Sequence, residues 1–149
     1  LLNNADHYRV RVSAAVLRTR DELLVVRESR RALEILNLPG GVPKLGESIE
    51  EAVVREVLEE TGYHINPTEI AFVAERRDDR WSTVTLEICF YAEIVSGDRA
   101  KPVEQDAVFA VEWLPLDHRE VRSNMPYAEL FPSRKRGRYL RAESRAPVS

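Results

Sequence analysis

Glu56, Glu59 and Glu60 fall close enough together to do chemistry as a group. At about 100° per residue, a helix through "REVLEETG" sends Glu56 and Glu60 the same way, with Glu59 beside them. Ile49, Ala52 and Val53 mark the greasy side of that helix, and the Glu56 and Glu60 pair projects into the middle of their arc. Like charges at i,i+4 cost about a few tenths of a kcal/mol even in water. Burial raises the cost, because an unpaired carboxylate loses its hydration. A positive charge is therefore expected there, from a neighbouring Arg or Lys or from a divalent cation. Arg55 lies four residues from both Glu51 and Glu59 and can balance those two, while pointing away from the Glu56 and Glu60 pair. A hard cation with oxygen ligands, Mg²⁺ or in its place Mn²⁺, suits the remaining gap.

The segment ahead of the acids strengthens that expectation. In "LPGGVPKLGE", Pro39, Gly40, Gly41, Pro43 and Gly46 set a tight, irregular path into a helix N-terminus, and such loops expose backbone amides and carbonyls. A cation together with oriented backbone groups is what a diphosphate needs for charge neutralisation. Ser48 reads as the N-cap of the helix, Glu51 completes a capping box and Gly62 is the stop. Glu50 and Glu51 read as solvated.

Elements that must position these residues are legible on either side. "YRVRVSAAV" alternates strictly, with Val10, Val12, Ala14 and Val16 on one face and Arg9, Arg11 and Ser13 on the other. After a polar turn at residues 19–21, "ELLVVRE" continues as a paired strand. Further β-rich runs are "EIAFVAERR", "STVTLEICFYAEIV" and "AVFAVEWLPL". A second helix is expected over residues 127–141, although Pro132 and Gly137 interrupt it. The basic run "SRKRGRYLR" places a solvated tail or helix within residues 133–149. Strands, a well-marked helix, more strands and a helix describe an α/β chain whose mixed sheet carries helices on its faces.

At 149 residues and 44% hydrophobic composition the chain is expected to form one domain over residues 1–149. A net charge of −3 gives no overall attraction to nucleic acid or anionic membrane, so stable binding to either is not expected. No apolar run of about 18 residues and no signal-like start are present, which leads to the expectation of a cytoplasmic location. Cys89, the single cysteine, sits in an apolar run and reads as a packed side chain. Pairing with a second copy as a homodimer is left open.

Gly41, five residues, Glu47, seven residues, then Arg55, Glu56, Val57, Leu58, Glu59, Glu60, Thr61, Gly62 and Tyr63 reproduce the Nudix box without a mismatch, and "LPGG" before it is also typical. The chain thus resembles a Nudix hydrolase, a family with an α/β/α sandwich fold. The resemblance implies hydrolysis of a nucleoside diphosphate linked to another group. It implies Glu56, Glu59 and Glu60 as metal ligands, with the Gly41 carbonyl as a further one, and Glu56 and Glu59 as the catalytic carboxylates. It implies a Glu47–Arg55 ion pair fastening the loop to the helix. A distant acid, Glu104 or Asp106, is the alternative proton acceptor. Arg27 matches a position that often contacts substrate phosphate, and Trp81, among Arg76, Arg77 and Arg80, is placed to stack on a base. Trp113 resembles a family core position. The signatures of ADP-ribose, dinucleoside polyphosphate, NADH and coenzyme A hydrolases are absent, Asp78 standing where the first has proline. That favours a nucleoside triphosphate or a nucleotide sugar as substrate. The alternatives from other classes are a Nudix-like nucleotide-sensing module without catalysis and an isopentenyl diphosphate isomerase. The first usually loses box glutamates that are all present here, and the second needs a cysteine setting that Cys89 lacks.

Overall fold

The computed structural model describes residues 7–78, 82–97 and 108–142. The alternating run near the start forms β1 (His7–Arg18), and a turn at Thr19 sends the chain back as β2 (Glu22–Arg30), with Leu17 opposite Leu23. Arg31 and Ala32 both take left-handed backbone angles, φ 51° and 64°, which closes the next hairpin onto β3 (Leu33–Asn37). Two residues, Gly40–Gly41, make the short strand β4 against Val12 and Ser13 of β1. The helix α1 (Ile49–Thr61) follows, then β5 (His64–Asp78), β6 (Thr83–Ser96) and β7 (Val108–Pro115). A short helix α2 (Arg119–Asn124), a 3₁₀ turn (Pro126–Leu130) and β8 (Arg138–Ala142) complete the described chain.

β1 belongs to both halves of the sheet. Residues from His7 to Val16 run parallel to β6, and the last residues of β1 pair with β2. The sheet path is β3-β2-β1-β6-β5-β8, with β7 on β2 and β4 on β1. β5 pairs antiparallel with β6 and parallel with β8, so the sheet is mixed. Both of its faces are covered. On one, Val12, Ala14, Val16 and Phe90 pack against Ala52, Val53 and Val57 of α1. On the other, Leu23, Val25, Phe72 and Tyr91 pack against Val121 of α2 and against Tyr127 and Phe131, and Phe72 lies 4.3 Å centroid to centroid from Tyr127. This is an α/β/α sandwich. Cys89 is buried in the second core, and that burial pushes its thiol pKa up. Trp113 is partly buried against the first core, edge-on to Tyr63 at 6.0 Å.

The helix expected over residues 127–141 is not formed. Pro132 has no amide to donate, and Gly137, at φ 62°, turns the chain so that its N–H meets the Ile70 carbonyl at 2.9 Å and starts β8 on the edge of β5. The basic segment is therefore not a free tail over its first half: Arg136 donates to Glu69 at 2.6 Å and Lys135 N–H to the Leu130 carbonyl at 3.1 Å. Among the described residues no helix is long and apolar enough to cross a membrane.

Candidate active site

The site is built where a glycine pair squeezes between a strand and a helix. A methyl group on Gly40 would sit 2.1 Å from the Val12 carbonyl oxygen, and one on Gly41 would sit 2.3 Å from the carboxyl carbon of Glu56. At Gly40 the neighbour is β1 backbone, so only glycine fits, whereas at Gly41 a side chain would push the Glu56 carboxylate aside. Ala14 N–H donates to the Pro39 carbonyl at 3.0 Å, which holds the loop to β1. Gly40 N–H donates to Glu60 Oε2 at 2.9 Å, which holds it to α1.

The start of α1 follows from local chemistry. The Ser48 hydroxyl accepts from Glu51 N–H at 3.1 Å, and Glu51 Oε2 accepts from Ser48 N–H at 2.7 Å, a complete capping box. Gly62 ends the helix at φ 78°. Glu51 is thereby used by the cap and is not a partner of Arg55, contrary to the expectation from helical spacing. Arg55 instead donates to Glu47 at 2.6 and 3.0 Å, to Glu59 at 3.2 Å, and to Glu56 at 2.9 Å, the residue it was expected to point away from. Helical phase places the Cα; a long guanidinium stem can curl to its immediate neighbour.

The carboxylates of this cluster titrate apart. The Arg55 guanidinium, helped by the Lys44 amide, pulls the Glu47 carboxyl down to about 2. Burial pushes Glu60 up to about 8, against the opposing pull of the Gly40 amide and the Arg11 charge, with Glu28 and Glu56 adding repulsion. Glu60 keeps part of its surface in water, yet its carboxyl is packed deeply enough for burial to dominate.

Behind Glu60 lies a cluster absent from the sequence expectations. Arg11, Glu28 and Glu87 have 4%, 2% and 0% of their surface exposed. Glu87 Oε1 accepts from the Ser13 hydroxyl at 2.8 Å and lies 3.6 Å from Arg11 Nε; Arg76 approaches its other oxygen at 3.0 Å. Arg11 donates to the Leu38 carbonyl at 2.7 Å, two residues before Gly40. Glu28 and Arg30 are 2.8 Å apart, but without hydrogen-bond alignment, so this is a charge contact. The visible signal was a lone acid inside an apolar run, Glu87 in "TLEICF".

The other expected site residues fall elsewhere. Arg27 is committed to scaffolding: it bonds Glu120 through two nitrogens at 2.8 and 3.0 Å and also Glu112, tying β2 to β7 and α2. Its expected phosphate contact would require it to leave Glu120. Trp81, Glu104 and Asp106 lie outside the described residues.

As they stand, no three His, Cys, Asp or Glu side chains among the described residues converge on one point as a metal cage. Arg55 draws Glu56 and Glu59 to one side, and the Gly40 amide holds Glu60 on the other. The donor chemistry, carboxylate oxygens at the inner end of one helix with the Gly41 backbone against Glu56, suits a hard divalent cation.

A mixed sheet between helices, with an acid-bearing helix fed by a glycine loop, defines the class. The chain belongs to the Nudix family: the model of the NUDIX domain matches residues 7–133. It is 34% identical to the NAD-capped RNA hydrolase NudC of Pseudomonas aeruginosa over 73% of this chain and 37% of that protein. It is 29% identical to the ADP-ribose pyrophosphatase of Methanocaldococcus jannaschii over 77% of this chain and 71% of that one. A NUDIX hydrolase structure from Nitrosomonas europaea superposes with a TM-score of 0.76 at 28% identity, covering 87% of this chain and 92% of that chain. The chain spans 40% or less of the length of several curated relatives it matches.

Proposed function

We propose that this domain hydrolyses the diphosphate bond of a nucleoside diphosphate linked to a further group, with Glu56, Glu59 and Glu60 holding Mg²⁺, or Mn²⁺ in its place, and the Gly41 carbonyl beside them. The observation that carries this reading is the clamp on the acids: Gly40 N–H on Glu60, Gly41 pressed onto Glu56, and Arg55 joining Glu47 to Glu56 and Glu59. When bound, the cation supplies charge neutralisation on phosphoryl oxygens and lowers the pKa of a water. The chain's own residues do the rest. Arg55 and Glu47 fix the loop against α1, and a carboxylate oxygen of Glu56 or Glu59 accepts the proton of the attacking water. Glu104 and Asp106 are the alternative acceptors, and Trp81 is the candidate for stacking on the base. The names of the relatives, NAD-capped RNA hydrolase and ADP-ribose pyrophosphatase, both describe nucleotide derivatives, which supports the substrate class.

The test is release of phosphate or nucleoside monophosphate from a panel holding nucleoside triphosphates, nucleotide sugars, ADP-ribose and NAD, with Mg²⁺ or Mn²⁺. Glu56→Gln and Glu60→Gln should each lose more than about 100-fold in kcat/KM, because even partners one step removed from a metal cost about 10- to 100-fold. Both variants should stay folded. An undiminished rate after chelation would overturn the metal assignment, and no turnover of any compound by the folded wild type would favour a sensing module. The panel also decides the substrate, with a nucleoside triphosphate or nucleotide sugar as our expectation.

A further inference from the structure

The basic segment that the proposed chemistry leaves unused helps to wall a cavity of about 410 Å³ lined by Leu17, Thr19, Arg20, Phe131, Ser133 and Arg134, with Pro132 between the last three. It lies beyond the end of β1, where Leu17 packs on the core opposite α1. Gly40 and Gly41 meet β1 at Ser13 and Val12 instead, so the cavity is separate from the acid cluster.

Its walls are held in place. The Tyr91 hydroxyl donates to the Lys135 carbonyl at 2.6 Å, with the Leu130 carbonyl at 3.3 Å, and Arg134 N–H donates to the Phe131 carbonyl at 3.0 Å. Arg136 pins the far side to Glu69. Two residues that line the cavity carry backbone angles that side chains rarely adopt: Thr19 at φ 60° and Arg134 at φ 46°. Thr19 opens the β1–β2 turn, and a hairpin of that kind asks for a left-handed residue, so the hairpin fixes this edge of the cavity. Arg20 and Arg134 have neither a carboxylate partner nor a side-chain hydrogen bond among the described residues, a state they share with residues such as Arg77 and Arg122, but Arg20 and Arg134 line one and the same cavity.

From this we infer that the cavity is a binding site for a small phosphate monoester. Two unpaired guanidinium groups match the charge of about −1.5 to −2 that a phosphate monoester carries at neutral pH. The Thr19 and Ser133 hydroxyls add donors, and Leu17 and Pro132 offer an apolar wall to the esterified part, backed by the fully buried Phe131. The volume is in the range of about 300 to 1,000 Å³ that small ligands occupy. The site is independent of the box acids and of any cation they hold.

The experiment titrates the full chain with adenosine monophosphate, inorganic phosphate and a 5′-phosphorylated oligonucleotide, with chelator present throughout so that no cation can recruit phosphate to Glu56, Glu59 and Glu60. Amide NMR shifts and calorimetry are the readouts. Saturable binding of the nucleotide is expected, weakening with salt, with shifts at Thr19 and Ser133 and tighter binding than inorganic phosphate. Arg20→Gln and Arg134→Gln, both at exposed positions, should each weaken it by roughly tenfold without changing the melting temperature. Absence of saturable binding in the wild type, or unchanged binding in the double variant, overturns the inference. Phosphate binding as tightly as the nucleotide overturns the role given to the apolar wall. Binding of the oligonucleotide alone overturns the assignment to a small ester and gives the face to nucleic acid.

Discussion

Glu60 shows what a single residue contributes and what it costs. Its carboxyl faces Gly40 N–H, with Arg11 attracting and Glu28 and Glu56 repelling its charge, and burial outweighs all of these in setting a pKa of about 8. The unfolded chain releases this proton near the ordinary value of 4.5. Between those two values the folded, cation-free protein binds more protons than the unfolded chain, so stability falls as pH rises through the window. Chemical denaturation with chelator, from pH 5 to pH 8, should show that decline in the wild type and a shallower one in Glu60→Gln. Identical slopes would mean that Glu60 titrates normally. A cation on this carboxylate must displace the proton, so cation affinity should rise with pH up to about 8 and level off above it. Titration calorimetry in buffers of different ionisation enthalpy would register the released proton.

At the scale of elements, α1 was legible because its signals are local. Ser48, Glu51 and Gly62 act within four residues of their partners, and the structure places cap, box and stop on those residues. Ser48→Ala should remove one capped amide and cost about 0.5–2 kcal/mol, without changing the acids further along; a urea midpoint shift with an unchanged m-value would show it. What depends on distant partners was not legible. β8 exists because β5 offers it an edge, a fact that no window over residues 127–141 contains. Arg27 reads from the sequence as a phosphate contact, and nothing nearby reveals its partner Glu120, at a separation of 93 residues. The Glu47 partner of Arg55 belongs to the motif, whereas its bond to Glu56 depends on how the long side chain curls, which spacing does not encode.

Arg11 connects the elements into one molecule. Lying in β1, it meets Glu87 of β6, which also holds Arg76 of β5, and it carries the Leu38 carbonyl at the start of the glycine loop. The strict alternation of β1 suggested a polar outer face, but the second helical layer covers it, so Arg11 and Ser13 are buried with Glu87 as partner. Arg11→Met would leave Glu87 with Arg76 and the Ser13 hydroxyl as its partners, so the loss should fall below the about 3–5 kcal/mol that a buried charge costs when its partner is removed. The thermal unfolding of Arg11→Met should reflect that loss, and Arg11→Met with Glu87→Gln should recover part of it, since the second change removes the carboxylate charge that Arg76 alone then balances. A double variant as unstable as the single one would show that the packing of Arg11, and not its charge, is what matters.

Binding at the acids should register in the stability of the whole fold, because a ligand that binds only the folded state adds RT ln(1 + [L]/Kd). Without a cation, Glu56, Glu59 and Glu60 share the compensation given by Arg55 and the Gly40 amide. At a Mg²⁺ concentration about 100 times Kd the gain is about 2.7 kcal/mol. For a chain of this length that corresponds to a rise in Tm on the order of 5–10 °C. Glu60→Gln keeps the side-chain volume and can still accept from Gly40 N–H through its amide oxygen, so its Tm without cation should be at or above that of the wild type, the penalty of a buried charge having gone. Its rise with Mg²⁺ should be much smaller. Calorimetric scans of both proteins with and without Mg²⁺ separate the two effects, and equal rises in both would place the ion away from Glu60.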